Sequence, residues 1–169
     1  MAKMSFSLTS WQPVAVADTT NFTDNGYCAI QGANSTQRVA VEEIAIGGQA
    51  SSSAVMQMLF GRDSTVGATL TALTTNQYNA ALDGANSALS SAPTCFTAST
   101  TKPKRSSTLG GLLNFSFNAF GGSVRWIAAP GQAISLVGNA ASLGELSLSG
   151  ASGCASSTSI GTHIIYEVA

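Results

Sequence analysis

The 169-residue chain carries seven basic and eight acidic residues, a formal net charge of −1, and only 9% of it is charged, against about 25% in an ordinary soluble domain. That balance excludes the basic excess that drives nucleic-acid binding through counterion release, and a hydrophobic content of 44% excludes the composition of a disordered chain. One domain over residues 1–169 is expected, large enough to bury a core without the help of a metal or cofactor.

The first residues, "MAKMSFSLTSW" (1–11), lack the apolar run of about 7 to 15 residues that marks a signal peptide. No stretch reaches the roughly 18 uninterrupted apolar residues of a membrane helix, so no membrane partner is expected. "QPVAVA" (12–17), "RVAVEEIAI" (38–46) and "AVMQMLF" (54–60) are short apolar or alternating runs that read as strands. Within the second of these, Glu42 and Glu43 are neighbours and would point to opposite faces of a strand.

Residues 66–108 break the pattern. "TTNQYNAALDGANSALSSAP" spaces Ala and Leu roughly as a helix would, yet Asn, Gly84 and Ser clusters interrupt it and Pro93 closes it. A long insertion, partly helical or irregular, is expected there. Its basic cluster, Lys102, Lys104 and Arg105 in "TTKPKRSST", reads as a solvated loop tip.

The period then becomes two. In "LLNFSFNAF" (112–120) Leu113, Phe115, Phe117 and Ala119 share one face, while Asn114, Ser116 and Asn118 share the other, the signature of a half-buried strand. In "SVRWIAAPGQAISLVG" (123–138) Val124, Trp126 and Ala128 alternate with Arg125 and Ile127. Pro130-Gly131 suits a tight turn, so a β-hairpin is expected, with Trp126 toward the core and Arg125 on the opposite face beside a carboxylate, that of a neighbouring subunit being one option. "GELSLSG" (144–150) and "THIIYEV" (162–168) complete the strands. Short strands divided by Gly, Ser and Asn turns indicate an all-β, antiparallel sandwich or barrel.

Signals for chemistry are sparse. A catalytic triad needs a base beside its nucleophile, and the single histidine, His163, lies within the alternation of the last strand. The eight acids, Asp18, Asp24, Glu42, Glu43, Asp63, Asp83, Glu145 and Glu167, show no spacing that selects a glycosidase pair. No phosphate or dinucleotide cradle motif occurs. Cys28, Cys95 and Cys154 are widely spaced, which disfavours zinc. The odd count leaves three reduced thiols, or one bridge and one free thiol; reduced thiols are expected, as in a reducing cytoplasm. No enzyme and no cofactor is the expectation.

The combination of a small neutral sandwich rich in Ala, Gly, Ser and Thr, the segment "VRWIAAPGQAISLVGN", the short "GELSLSG" and the closing "HIIYEV" resembles capsid decoration, or cement, proteins of tailed bacteriophages. The resemblance spans roughly residues 38–169. It implies a jelly-roll-like or TNF-like β-sandwich that forms a homotrimer, is assembled in the host bacterial cytoplasm, and braces the major capsid protein on the surface of the virion without catalysis. Many weak uncharged contacts repeated on a symmetric shell would sum by avidity. With few charges to guard its sheet edges, such a sandwich would cover them with neighbours. Residues 1–11, through Phe6, Leu8 and Trp11, are then expected to form an arm onto a neighbour or the capsid, with Arg125 a further contact. A glycan-binding head-fibre or adhesin module would use the same architecture, and fold alone does not separate the two.

Overall fold

Alternation of buried and open residues shapes most of the strands, while residues 145–150 are buried at every position. The computed structural model describes residues 4–10, 26–72, 80–82, 93–101, 103–105, 111–138, 140, 143–150 and 160–169, and these contain strands and no helix. The strands are β1 (Met4–Ser10), β2 (Gly26–Gln31), β3 (Arg38–Gln49), β4 (Val55–Thr65), β5 (Ala68–Ala72), β6 (Ala80–Ala81), β7 (Thr94–Thr101), β8 (Lys104–Arg105), β9 (Leu113–Asn118), β10 (Phe120–Ile127), β11 (Ile134–Val137), β12 (Glu145–Gly150) and β13 (Ile160–Val168).

Two antiparallel sheets form. The first runs β10-β3-β13-β1-β6 with β11 also on β3; the second runs β5-β7-β2-β12-β4-β8 with β9 also on β4. Set aside β5 to β8, which belong to the 66–108 insertion, and count β11 as the continuation of β10. The eight remaining strands then pair first with last, second with seventh, third with sixth and fourth with fifth: β1 with β13, β2 with β12, β3 with β10, β4 with β9. That nesting, joined across by β3 with β13 and β4 with β12, is a jelly roll. The core between the sheets is built from Phe6, Ile44, Ile46, Ile164 and Tyr166 on one side and Ile30, Met56, Met58, Phe60, Leu146 and Leu148 on the other, all fully buried.

The expected strands at 38–46, 54–60, 112–120, 144–150 and 162–168 are present as β3, β4, β9, β12 and β13. Residues 12–17 lie outside the described residues. Within the insertion, the described parts are strands rather than helix: β5 and β7 extend the second sheet past β2, and β6 extends the first past β1. Of the Ala/Leu-spaced stretch itself, Ala80 and Ala81 pair at the edge of the first sheet, and most of the rest lies outside the described residues. Lys104 and Arg105 likewise form a two-residue strand on the end of β4, not the solvated loop tip that composition suggests; Lys102 lies outside the described residues.

The expected hairpin at Pro130-Gly131 is corrected. The turn is real: Gln132 N–H donates to Ala129 O at 2.8 Å, and Gly131 has φ +77°, a left-handed angle that a glycine adopts freely. Its two arms do not pair with each other. Trp126 and Ile127 pair with Ile44 and Glu43, Ala128 N–H donates to Glu42 O, and Ile134 and Ser135 continue onto Val41 and Ala40. β10 and β11 are therefore one edge strand running along β3, interrupted by an extruded loop.

A bulge in β3 explains where that interruption falls. Ile165 pairs with Glu43 but Tyr166 pairs with Val41, leaving Glu42 as an extra residue. Val39 and Val41 are buried before it, Ile44 and Ile46 after it, and both Glu42 and Glu43 stay half-exposed. Strict alternation from Val41 would have driven Glu43 into the core.

Candidate functional site

The outer face of the first sheet follows from the buried one. With Ile44, Ile46, Ile164 and Tyr166 turned inward, the intervening residues line up outside in cross-strand rows. One row is Ser123, Gly47 and Gly161; the next is Arg125, Ala45 and His163; the third is Ile127, Glu43, Ile165 and Ser7. Small residues keep the centre of this surface low, and Ile127 stands 58% exposed at its rim. A surface whose centre is small and whose central charges are paired meets a partner there with little desolvation cost.

At the centre of the face the charges meet in one cross-strand pair; Arg38 and Glu167 lie further along β3 and β13. Arg125 on β10 donates through Nε to Glu43 Oε1 at 2.7 Å and through Nη2 to Glu43 Oε2 at 2.8 Å, a two-pronged fit of guanidinium to carboxylate. The Arg125 hydrogen bond holds the Glu43 carboxyl below its ordinary range against the opposing effect of burial, with smaller help from the charges of Arg125 and His163, and Glu43 in turn raises Arg125. Arg125 lies on the outward face as its alternation requires, 61% exposed. Its carboxylate is supplied by the adjacent strand of its own chain, not by a neighbour: the bulge places Glu43 outside where Arg125 can reach it.

The other expected contact residues divide. Phe6 is fully buried, stacked on Tyr166 with centroids 5.8 Å apart. Its strand is hydrogen-bonded to β13 over seven residues and to β6 on the other side. Residues 4–10 are thus an interior strand, which corrects the arm expectation for Phe6, because its side chain is spent on the chain's own core. Leu8 sits opposite Ile164 in the same strand, and Trp11 lies outside the described residues. Trp126 packs beside Val124 against the core, as the alternation requires.

Sequence reasoning did not single out one acidic pair. Leu146 pairs with Arg62, so one step further along, Asp63 of β4 and Glu145 of β12 are neighbours on the outer side of the second sheet, both buried. Glu145 Oε2 accepts from Gln31 Nε2 at 2.7 Å and from Gly67 N–H at 2.9 Å. Burial, then the Asp63 carboxyl, pushes the Glu145 acid up to about 8 against the lowering effect of Gln31 and Gly67. A buried pair closed to solvent does not form the open cleft of a glycosidase. The signal that joins them is register between strands far apart in sequence, invisible to spacing rules. Cys28 and Cys95 are buried, unbridged thiols, and burial pushes Cys28 up to about 12 and Cys95 well above its usual value; Cys154 lies outside the described residues. Among the described residues no cluster of three or more His, Cys, Asp or Glu is placed to hold a metal ion.

No protein-family model matches the chain, and no curated protein matches it. Among solved structures, it is similar to a chain of the KBV activated particle at acidic pH, with TM-score 0.35 and 8% identity over 98% of this chain and 68% of that one. It is also similar to a chain of the T13 IBDV viral particle, with TM-score 0.15 and 12% identity over 98% of this chain and 39% of that one. Both scores fall below 0.5, and the jelly-roll assignment rests on strand order and register.

Proposed function

We propose that the chain is a structural virion protein that decorates and cements a tailed-bacteriophage capsid, binding the major capsid protein as a homotrimer through the outer face of the first sheet. The observation that carries this reading is that face itself: Ala45, Gly47, Gly161 and Ser7 form a flat surface whose Arg125 and Glu43 neutralise each other, rimmed by exposed Ile127. Contacts of this kind are weak singly and insensitive to salt, and repetition over a shell makes them durable. The resemblance of the sequence to decoration proteins supports the same reading, and so does a buried, closed acidic pair where a hydrolase would need an accessible one.

The test combines native mass measurement with co-sedimentation on purified, undecorated heads. The wild-type chain is expected to be trimeric and to pellet with heads at both low and high salt. Ala45→Arg, which places a bulky charge on the flat face, is expected to abolish pelleting while leaving thermal unfolding unchanged. A strict monomer that ignores heads overturns the proposal, and glycan-array binding by that monomer would favour the head-fibre or adhesin reading.

A further inference from the structure

Among the described residues four large hydrophobic side chains are exposed: Val55, Leu82, Phe120 and Ile127. Such residues scattered singly are ordinary, but two of them share one strand and one face. Phe120 pairs with Gln49 and Ile127 with Glu43, and both partners fall on the outward phase that buried Ile44 and Ile46 set in β3. Both hydrophobic side chains therefore stand on the outer side of the first sheet. Their partners are six positions apart along β3, a span of about 20 Å.

Neither side chain sits on a loose segment. Asn118 Oδ1 accepts from Phe120 N–H and from Ala54 N–H, each at 3.0 Å, and Asn118 Nδ2 donates to Ser53 Oγ at 2.9 Å. Between Asn118 and Phe120, the wholly buried Ala119 donates its N–H to Ala54 O at 2.8 Å and accepts from Ala50 N–H at 3.0 Å. The two chain segments meet so closely that a Cβ at Gly48 would collide with Ala119 and one at Gly122 with the Asn118 carbonyl. At the other end, Ile127 is held between Trp126, paired with Ile44 and packed on the core, and Ala128, whose N–H donates to Glu42 O at 2.8 Å. A side chain carried on so fixed a backbone loses little freedom when a partner buries it, and that is what makes an anchor residue effective. Between the two, the charge of Arg125 is already met by Glu43, so a partner needs no countercharge opposite it.

We propose that Phe120 and Ile127 are the two anchors of the capsid-binding face, that Asn118 is the positioning residue for the first, and that the major capsid protein meets them with two apolar pockets about 20 Å apart on uncharged ground. This rests on the reading of that face as the docking surface and specifies the chemistry it docks against.

Titration of the full chain against purified, undecorated heads, read by co-sedimentation, tests it. Phe120→Ala and Ile127→Ala trim exposed side chains, so thermal unfolding is expected to be unchanged while each weakens binding by about tenfold or more. Val55→Ala is the control: Val55 is 71% exposed but pairs with Asn118 on the outer side of the second sheet, and its loss is expected to leave binding unchanged. Asn118→Ala is expected to weaken binding on its own and to add nothing in the Phe120→Ala background, because it acts through Phe120. Asn118→Asp keeps both acceptor bonds and is expected to bind as wild type does. Wild-type affinity in Phe120→Ala and Ile127→Ala, a loss in Val55→Ala as large as theirs, or an Asn118→Ala loss that persists undiminished in Phe120→Ala overturns the proposal and leaves the docking face standing. Wild type that does not pellet with heads overturns both.

Discussion

Phe6 and Tyr166 lie face to face across β1 and β13, both wholly buried, with 28° between ring planes. Removing an aromatic ring from such a site leaves a cavity that the sandwich cannot fully close, so Phe6→Ala is expected to cost about 3 to 5 kcal/mol in chemical denaturation. A surface arm residue would instead leave stability untouched and alter only association. Burial also silences the thiols: at pH 8, alkylation of the native chain is expected to spare Cys28 and Cys95, and labelling of either before unfolding would show that its site opens locally. At this scale the sequence was partly legible. Alternation correctly turned Trp126 inward and Arg125 outward, because period two is a local property of the strand. It also turns Phe6 and Leu8 toward one common face, but alternation alone does not say whether that face meets the chain's own core or a neighbour.

The bulge at Glu42 and the extruded loop of residues 129–133 belong to one device. Where β3 gains a residue, its edge partner detaches, and Glu42 O holds Ala128 N–H at the last point before the loop leaves. Deleting Glu42 would restore simple alternation, with Val41, Ile44 and Ile46 still inward. Deleting Ala45 would turn Ile46 outward. The first deletion is therefore expected to fold with a modest loss of melting temperature and the second to fail to fold, compared side by side by thermal unfolding. The signal for the bulge stands in "VAVEEIAI" as a slip of phase between two apolar pairs. The hairpin was misread for a different reason: Pro-Gly chemistry determines the turn, but whether its arms pair with each other or with a third strand depends on β3, some 80 residues away. The same non-local choice determined the strands of the insertion.

For the molecule as a whole, two carboxyls pull stability in opposite directions with pH. Glu145 has a raised value in the fold, so its contribution is full below the ordinary carboxyl range and is lost as pH rises toward about 8. Glu43 has a lowered one, so its contribution is present above the ordinary range and is lost as pH falls through its depressed value. Exposure and solvent screening keep the Glu43 contribution small. Global denaturation is accordingly expected to show stability declining from about pH 5 to 8, with the decline absent in Glu145→Gln. The eight-strand nesting was legible as a class from short alternating strands; its strand order was not, since pairing first with last is enforced by core closure rather than by any local motif. The extruded loop carries a practical consequence for that closed shape. Residues 129–132 leave β3 exposed and return to the very next pairing position, so the loop can be lengthened without moving any strand. Tripling its length adds only about 1 kcal/mol of closure entropy. An epitope or affinity tag spliced between Pro130 and Gln132 would thus project from the edge of the sandwich, making this chain a carrier for foreign peptides.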